Sequence, residues 1–571
     1  MALVVGWIGV NAVLARGHLL AARTAVGDLR AALTDGDETR ARSAYDVAAT
    51  RSAAARSATD DWIWGGVATV PLLGRPVNAV RGIAAAADQL AQGPLRELLD
   101  TASALDPTQL RLPDGSIDVG KLSRSQPSLR SALAQIEAIE RTVRGLPRRA
   151  GVPAVDRGRD DLVGEVTRLR KVVANAETAA RIAPAMLGGQ GKRRYFVAFQ
   201  NNAESRGTGG ILGVYGILEA DRGRLRMTKV GSNQELKGFA EPVVSLGKEF
   251  DDRYNPSFGA AELWVNTNLS PHFPYSGQIW LAMWQRQFGE RLDGVLATDP
   301  VMLSYLLEAT GPLRLPTGEQ VSAGNVVELT ESTVYSRFED TTVRKEFLQV
   351  IAVAVSEQVL HRAGGSAAAL GNAVQKGAAE RRLLLWSRHP VEAAALAGSA
   401  IGGTLPQGLG PYAGLVLNNG SGGKLDYYLD RTVRYDLGAC DNTGFRRSTV
   451  TVTLTNDTPD TPLPDYVVIR ADDFAQNPPR GSNVVLASLY AAEGAELRRV
   501  LIDGVPTGIT AEFERGRPVF TMTVELAPKQ SRTIVYELKE PVSDEAARVP
   551  EQPLARRQRS TVTTSTCSAA P

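Results

Sequence analysis

The chain has 571 residues, too many for one hydrophobic core, and its 43% apolar and 22% charged residues are those of a multidomain globular protein. A formal net charge of +2 excludes a broad nucleic-acid-binding field, so no nucleic-acid partner is expected. The four histidines are far apart with no HExxH-type spacing, and two cysteines are too few for a zinc site, which argues against a metal centre or a Cys-His nucleophile.

The first fifteen residues, MALVVGWIGVNAVLA, carry no charge and end at Arg16. The run is shorter than the roughly 20 residues of a full span and lacks the basic start of a signal peptide. It reads as a truncated membrane anchor (1–15), giving a single-pass protein held to the membrane by its N-terminal helix, with its bulk extracytoplasmic. Residues 16–190 read as a helical stalk or bundle. Arg16 to Thr59 is Ala- and Arg-rich without Pro and predicts one long helix, and Trp62 to Pro76 a Gly/Pro-punctuated loop on helices or on the membrane surface. Further helices are expected over Val77–Asp100, Gln126–Arg144 and Asp160–Ala183, the last from apolar steps of four and three.

After Lys192-Arg193-Arg194 the pattern becomes a mixed α/β domain, residues 191–400. Tyr195–Phe199 and Ile211–Leu218 predict two strands. Between them lie a polar turn at Gln200-Asn201-Asn202, then Glu204, Arg206, Gly207, Gly209 and Gly210. A Gly-rich loop lets backbone amides approach a ligand, and a guanidinium adds a fork suited to phosphate or carboxylate. An ordinary strand connection needing glycine is the alternative. Arg224–Val230 pairs back through the turn Asp221-Arg222-Gly223. Glu262–Pro274 is a polar loop carrying Asn266, Asn268 and His272. Ser276–Glu290 is a helix whose Trp280, Trp284 and Phe288 form a core stripe.

Asp293–Thr298 predicts a buried strand, with Asp299-Pro300 capping the helix that follows. Gly324–Val334, Thr341–His361 and Ala367–Arg388 predict helices, Val343, Phe347, Ile351, Ala354 and Val355 of the second facing a core. Asp340 can cap that second helix. Arg344 in its first turn opposes the dipole, so it calls for an anionic ligand or for Glu339 or Asp340 as a partner. Residues 411–541 predict an antiparallel β-sandwich, with strands at Ala413–Asn418, Asp426–Leu437, Ser448–Asn456, Tyr466–Arg470, Val484–Tyr490, Leu497–Ile502, Val519–Leu526 and Arg532–Leu538. Residues 542–571 read as a tail with little core of its own. A Cys440–Cys567 disulfide in an oxidising compartment would pin this tail and let its Thr-rich Ser560–Thr566 add an edge strand.

The motifs QNNAESRGTGG, VNTNLSPHFP, LDGVLATDPVMLSYLLEATGPLRLPTG and YSRFEDTTVRKEF, in this order, resemble the family called domain of unknown function 4012. The segments CDNTGFRRSTVTVTLTND and GVPTG to PKQSRTIVYEL resemble that family's β-domain. The resemblance implies a bacterial envelope protein anchored by one N-terminal helix, and no established activity comes with it. A more remote resemblance links the central domain to the LytR-CpsA-Psr glycopolymer phosphotransferases, which act on polyprenyl-diphosphate carriers. It implies that Arg206 answers to their first-loop arginine, and Asp340 with Arg344 to their late acidic and basic pair. Gly207-Thr208-Gly209 stands where those enzymes carry a metal-binding acid, so no metal ligand is expected, and no cofactor is specified.

The sequence thus points to a multidomain α+β envelope protein in polysaccharide assembly or anchoring. The expected ligand is anionic, a polyprenyl-diphosphate glycan or cell-wall polymer, bound by Arg206, Gly209, Gly210, Asn266, Asn268, Asp340 and Arg344. An active glycopolymer phosphotransferase and a non-catalytic structural or adhesive surface protein are the alternatives: an intact acidic metal site would favour the enzyme, a cleft in which Arg206, Asn266 and Arg344 converge would favour binding, and scattered arginines would favour the structural role.

Overall fold

A computed structural model describes the chain apart from residues 1, 36, 71–73, 105–109, 362–366, 409, 473 and 566–571. The fold is mixed α and β. It divides into two units, Met1–Lys192 with Ala220–Arg224, and Arg193–Glu219 with Leu225–Pro571.

Small side chains govern the first unit. Helices α1 (Ala2–Asp35) and α2 (Glu38–Ser57) pack through Leu29 and Ala32 against Ala41 and Ala44. The single helix expected over Arg16–Thr59 is therefore two, because Asp37 accepts the Arg40 amide at 3.0 Å and caps a new helix. The expected loop Trp62–Pro76 is partly helical. Asp61 caps α3 (Trp62–Val67) through the Trp64 amide at 2.9 Å, and α4 (Gly74–Leu90) starts before Pro76. A π-turn holding Pro94 joins α4 to α5 (Arg96–Ala104). Helices α6 (Val119–Arg144) and α7 (Pro153–Met186) complete the unit, with Ile136, Val143, Val166 and Val173 in its core. Among the described residues no helix is long and apolar enough to cross a membrane.

The second unit begins with a five-stranded mixed sheet. Strand β1 (Arg193–Arg206) runs straight through Gln200-Asn201-Asn202, where a turn was expected, and the chain reverses at Gly207-Thr208 into β2 (Gly209–Asp221). The polar stretch stays extended because its side chains find partners inside the fold: Gln200 accepts from Thr208 at 2.6 Å, and Asn202 donates to the Pro553 carbonyl at 2.9 Å. Arg222 and Gly223, both left-handed, make the expected turn into β3 (Arg224–Ser232). Helices α8 (Lys248–Phe258) and α9 (Phe273–Phe288) follow, then β4 (Gly294–Thr298), parallel to β1 from Tyr195↔Gly294 to Phe199↔Thr298. Phe196 of β1 meets Trp264, Trp280 and Trp284, so the aromatic stripe is core, as expected.

Helix α10 (Pro300–Thr310), the small hairpin β5 (Leu313–Arg314) and β6 (Gln320–Val321), and α11 (Val326–Glu328) lead through a π-turn, Leu329–Thr333, to α12 (Val334–Arg337). Helix α13 (Thr341–His361) has the expected span; Phe347, Ile351 and Val355 are buried, but Val343 is exposed, since the first turn projects beyond the core. The helix expected over Ala367–Arg388 ends early. Left-handed Arg381 follows α14 (Ala367–Ala379), and the apolar run LLLWS becomes β7 (Leu383–Ser387), antiparallel to β4. Helix α15 (Pro390–Ala397) closes this part, and the sheet order is β3-β2-β1-β4-β7.

Two further sheets share one core. Strands β8 (Ala413–Asn419), β9 (Leu429–Cys440), β10 (Phe445–Asn456), β11 (Asn483–Ala491), β12 (Glu496–Ile502), β13 (Val505–Pro506), β14 (Thr510–Glu514), β15 (Arg517–Leu526), β16 (Ser531–Pro541) and β17 (Gln558–Thr564) form orders β13-β12-β16-β10-β9-β17 and β14-β15-β11-β8. Val450, Val452 and Leu454 alternate inward from β10 onto Leu415, Val485 and Val524 of the facing sheet. Tyr466–Arg470 is not a strand: Asp465–Val468 is a short helix, α16, in which Val467 and Val468 are both buried. The tail is not bare either. Leu554 enters the shared core, and β17 adds a parallel edge strand to β9.

Trp280 is fully buried and donates to Thr267 at 2.5 Å. Trp280→Ala is expected to destabilise the second unit by about 3–5 kcal/mol, read from the denaturant midpoint, with Trp280→Phe losing less.

Candidate functional site

The glycines of the β1–β2 turn approach protein backbone. A Cβ at Gly207 would lie 2.2 Å from the Leu269 carbonyl oxygen, and one at Gly210 would lie 2.1 Å from that of Asn201. Gly209, at φ +138°, has the Pro553 carbonyl 3.1 Å from its would-be Cβ. Asn268, fully buried, locks the turn by donating to Gln200 at 3.0 Å, Thr208 at 2.8 Å and the Gly210 carbonyl at 2.8 Å.

Arg206 is buried with its donors directed to carbonyls: Val265 at 2.9 Å, Ser205 at 2.9 Å and Asn419 at 3.5 Å. Its Nη2 reaches Asn266 Oδ1 at 3.5 Å, so these two expected site residues do meet, and Asn266 also donates to the Phe258 carbonyl at 2.7 Å. Burial draws the guanidinium down to about 10, against the pull of Asp426. Arg344 lies elsewhere. It is 1% exposed, donates to the Phe338 carbonyl at 3.0 Å and Thr341 Oγ1 at 2.9 Å, and stacks 3.9 Å from the Tyr466 ring centroid. Lys424 shares the Tyr466 and Tyr335 rings at 5.1 and 6.0 Å and is ion-paired with Glu204. Burial lowers Lys424 to about 7. Asp340 is an exposed cap on α13, accepting the Thr342 and Val343 amides at 2.7 and 3.0 Å. Arg206 and Arg344 therefore belong to separate contact sets.

The cleft lies at the carboxyl ends of parallel β1 and β4, the position where open α/β sheets receive ligands. Its cavity volume is ≈ 50 Å³. Gln200 and Asn201 of β1, Asp299 at the start of α10, Glu331 on the π-turn, and Leu303, Ile351 and Ala352 line it. The extra residue of a π-turn re-aims side chains and often marks a functional position. Glu331 accepts the Asn202 and Ala203 amides at 3.1 and 2.5 Å. Burial, with Asp299 nearby, raises its carboxyl to about 8, so at neutral pH it is mostly protonated. Asp299 caps α10 through the Met302 amide at 2.7 Å, as expected from sequence, and its other oxygen pairs with Arg382 at 2.7 Å, both side chains being 2% exposed. Burial raises the Asp299 carboxyl as well.

Glu331, Arg382 and Lys424 were not expected. Glu331 shares its stretch, Val326 to Val334, with Glu328, so nothing set it apart; Arg382 and Lys424 left no trace, since their partners Asp299 and Glu204 are remote in sequence. Among the described residues no group of three or more His, Cys, Asp or Glu side chains is placed to hold a metal ion.

Residues 190–335, which carry β1 through the π-turn, match the family described as protein of unknown function (DUF4012). No curated protein matches the chain.

Glu331 also sets a pH signature. Its carboxyl stands at about 8 folded against 4.5 as the ordinary value, so the folded state holds the extra proton between these limits. Stability is then fullest below pH 4.5 and falls as pH rises to about 8. Glu331→Gln removes the titration but turns a side-chain amide NH2, a donor, toward one of the two backbone N–H groups, orphaning it at a cost of about 1–3 kcal/mol. Denaturant unfolding at pH 5 and pH 8 is expected to show the variant weaker at pH 5, with the gap narrowing at pH 8.

Proposed function

We propose that the chain is a membrane-tethered, extracytoplasmic envelope protein that binds the sugar portion of an envelope glycan in the cleft at the carboxyl ends of β1 and β4. The observation that carries this is the uncharged cleft lining: Gln200, Asn201 and a Glu331 carboxyl, whose hydrogen bonds with Thr208, Tyr335 and the Asn202 and Ala203 amides a hydroxyl would share, and apolar walls from Leu303, Ile351 and Ala352. Neutral donors and acceptors beside apolar surface suit hydroxyl groups. Arg206 and Arg344 have their donors on internal acceptors, so a polyprenyl-diphosphate carrier would be recognised here through its glycan and not through its phosphates. Phosphoryl transfer, the activity implied by the LytR-CpsA-Psr resemblance, would need cationic groups free to meet a diphosphate. A non-catalytic binding role is favoured on that ground.

Titration of the full chain with a polyprenyl-diphosphate-linked disaccharide, the same diphosphate without sugar, and the free disaccharide tests the proposal. Ala352→Phe, which fills the cleft from α13, is expected to weaken binding of both sugar-bearing probes at least about tenfold while the variant still unfolds in a cooperative transition, at a somewhat lower melting temperature. Equal binding of the sugar-free diphosphate, or no effect of Ala352→Phe, would discard it.

The extracytoplasmic part of the proposal has its own check in Cys440 and Cys567. Cys567 lies outside the described residues. β17 runs parallel to β9 in a register that ends at Thr564↔Leu437, three residues before each cysteine. Closing so long a loop contributes roughly 4–5 kcal/mol in the chain-entropy model. Protein exported from its native host is expected to show no free thiol after denaturation and a lower melting temperature after reduction; two thiols without reductant rule the bridge out.

A further inference from the structure

Within the first unit, two uncharged stretches meet at one place. No charged residue occurs from Ala2 to Ala15 or from Trp62 to Gly74, and each stretch is followed by an arginine, Arg16 or Arg75. The Trp7 indole of α1 donates to Asp61 Oδ2 at 2.9 Å, next to Trp62 at the start of α3, which fixes the two stretches side by side. Both carry apolar side chains into solvent: Trp62 is 85% exposed and Val13 71%, with Trp7, Val10, Leu14 and Val70 each about half exposed. The opposite face of α1 is already occupied, since Ala15, Ala22, Ala25 and Leu29 are buried. Exposed apolar groups on neighbouring elements, with two tryptophans among them, form a surface that water does not favour.

We propose that this surface, Trp7, Val10, Val13 and Leu14 of α1 with Trp62 of α3, is seated in the headgroup region of a lipid bilayer, with Arg16 and Arg75 at the level of anionic phosphates. Charge selects a lipid surface over a second copy of the chain. The band is uncharged and each stretch is followed by an exposed arginine, Arg16 on α1 and Arg75 on α4, the order that an anionic interface demands and that a self-complementary protein contact does not. The nearest acids are already engaged: Asp61 caps α3 and bonds Trp7, while Asp60 pairs with Arg81 at 3.2 Å. On a helix rising 1.5 Å per residue, Val10, Val13 and Leu14 lie within about 9 Å of the Arg16 level and Trp7 about 13.5 Å from it, so the band reaches from the phosphates toward the outer acyl chains. The loop-like α3 segment thereby becomes a second membrane contact beside the start of the chain.

The inference rests on the membrane tether of the proposed function and not on the glycan cleft, which belongs to the other unit. The full chain is floated with vesicles of phosphatidylcholine, with and without phosphatidylglycerol, and its tryptophan emission is read against bromine-labelled lipids. Co-flotation strengthened by the anionic lipid and quenching reduced in Trp62→Ser, the remainder belonging to Trp7, are expected, and Trp62→Glu should lower partition at least about tenfold. Trp62 sits outside any core, so both variants keep the fold, verified by an unchanged melting temperature. Absence of flotation, flotation indifferent to Trp62→Glu, or a Trp62-dependent dimer in light scattering would each overturn the inference. Glycan binding by the same samples reads the cleft separately.

Discussion

The second unit depends on keeping charge satisfied where water is absent. Where the mixed sheet meets the two-sheet core, Arg206, Arg382, Arg431 and Asp426 are all buried. A buried ion without partners costs several kcal/mol, so each of these groups must find acceptors or donors inside the fold. The strap from Gln552 to Arg556 supplies many of them. Gln552 donates to the Arg206 and Leu417 carbonyls at 2.7 and 2.8 Å, Leu554 offers its carbonyl to Arg382 at 3.0 Å, and Arg431 reaches the carbonyls of Gln552 and Arg556. Asp426 accepts from the Ser205 amide, Asn419 and Asn483 at 2.8, 2.8 and 2.7 Å. The end of the chain is thus a structural member, and the hairpin between β1 and β2 is held in place by it.

That constraint explains why the residues with the strongest appearance of ligand binding are not the ones that line the cleft. Arg206, Asn268 and the glycines form a polar, glycine-rich sequence, the usual signature of an anion site. The same composition serves a tight turn whose backbone is crossed at close range by Leu269 and Pro553. Arg344, at the unfavourable end of the α13 dipole, takes the Phe338 carbonyl and the face of Tyr466 in place of an external anion.

Local physics was legible in the sequence and distant pairing was not. The Asp221-Arg222-Gly223 turn, the Asp299 cap, the span Thr341–His361 and the tryptophan stripe each follow from a few neighbouring residues and stand as expected. Gln200-Asn201-Asn202 stayed extended because its partners come from Thr208 and the far-off Pro553. LLLWS became β7 because an edge of β4 was available to pair with, and no window of sequence announces that. The site follows the same division. Asp299 was recognised for the oxygen that caps its own helix and missed for the oxygen that holds Arg382, eighty-three residues on.

The cleft's electrostatics then decide what it is able to hold. Asp299 is compensated by Arg382, and Glu331 is neutral over most of the physiological range because burial outweighs the two amides it accepts. An anion entering there meets no uncompensated positive charge and adds to the penalty already borne by both carboxyls. A neutral hydroxyl-bearing group disturbs neither balance: it shares the hydrogen bonds that Gln200, Asn201 and Glu331 already make, and covers apolar surface as it does so.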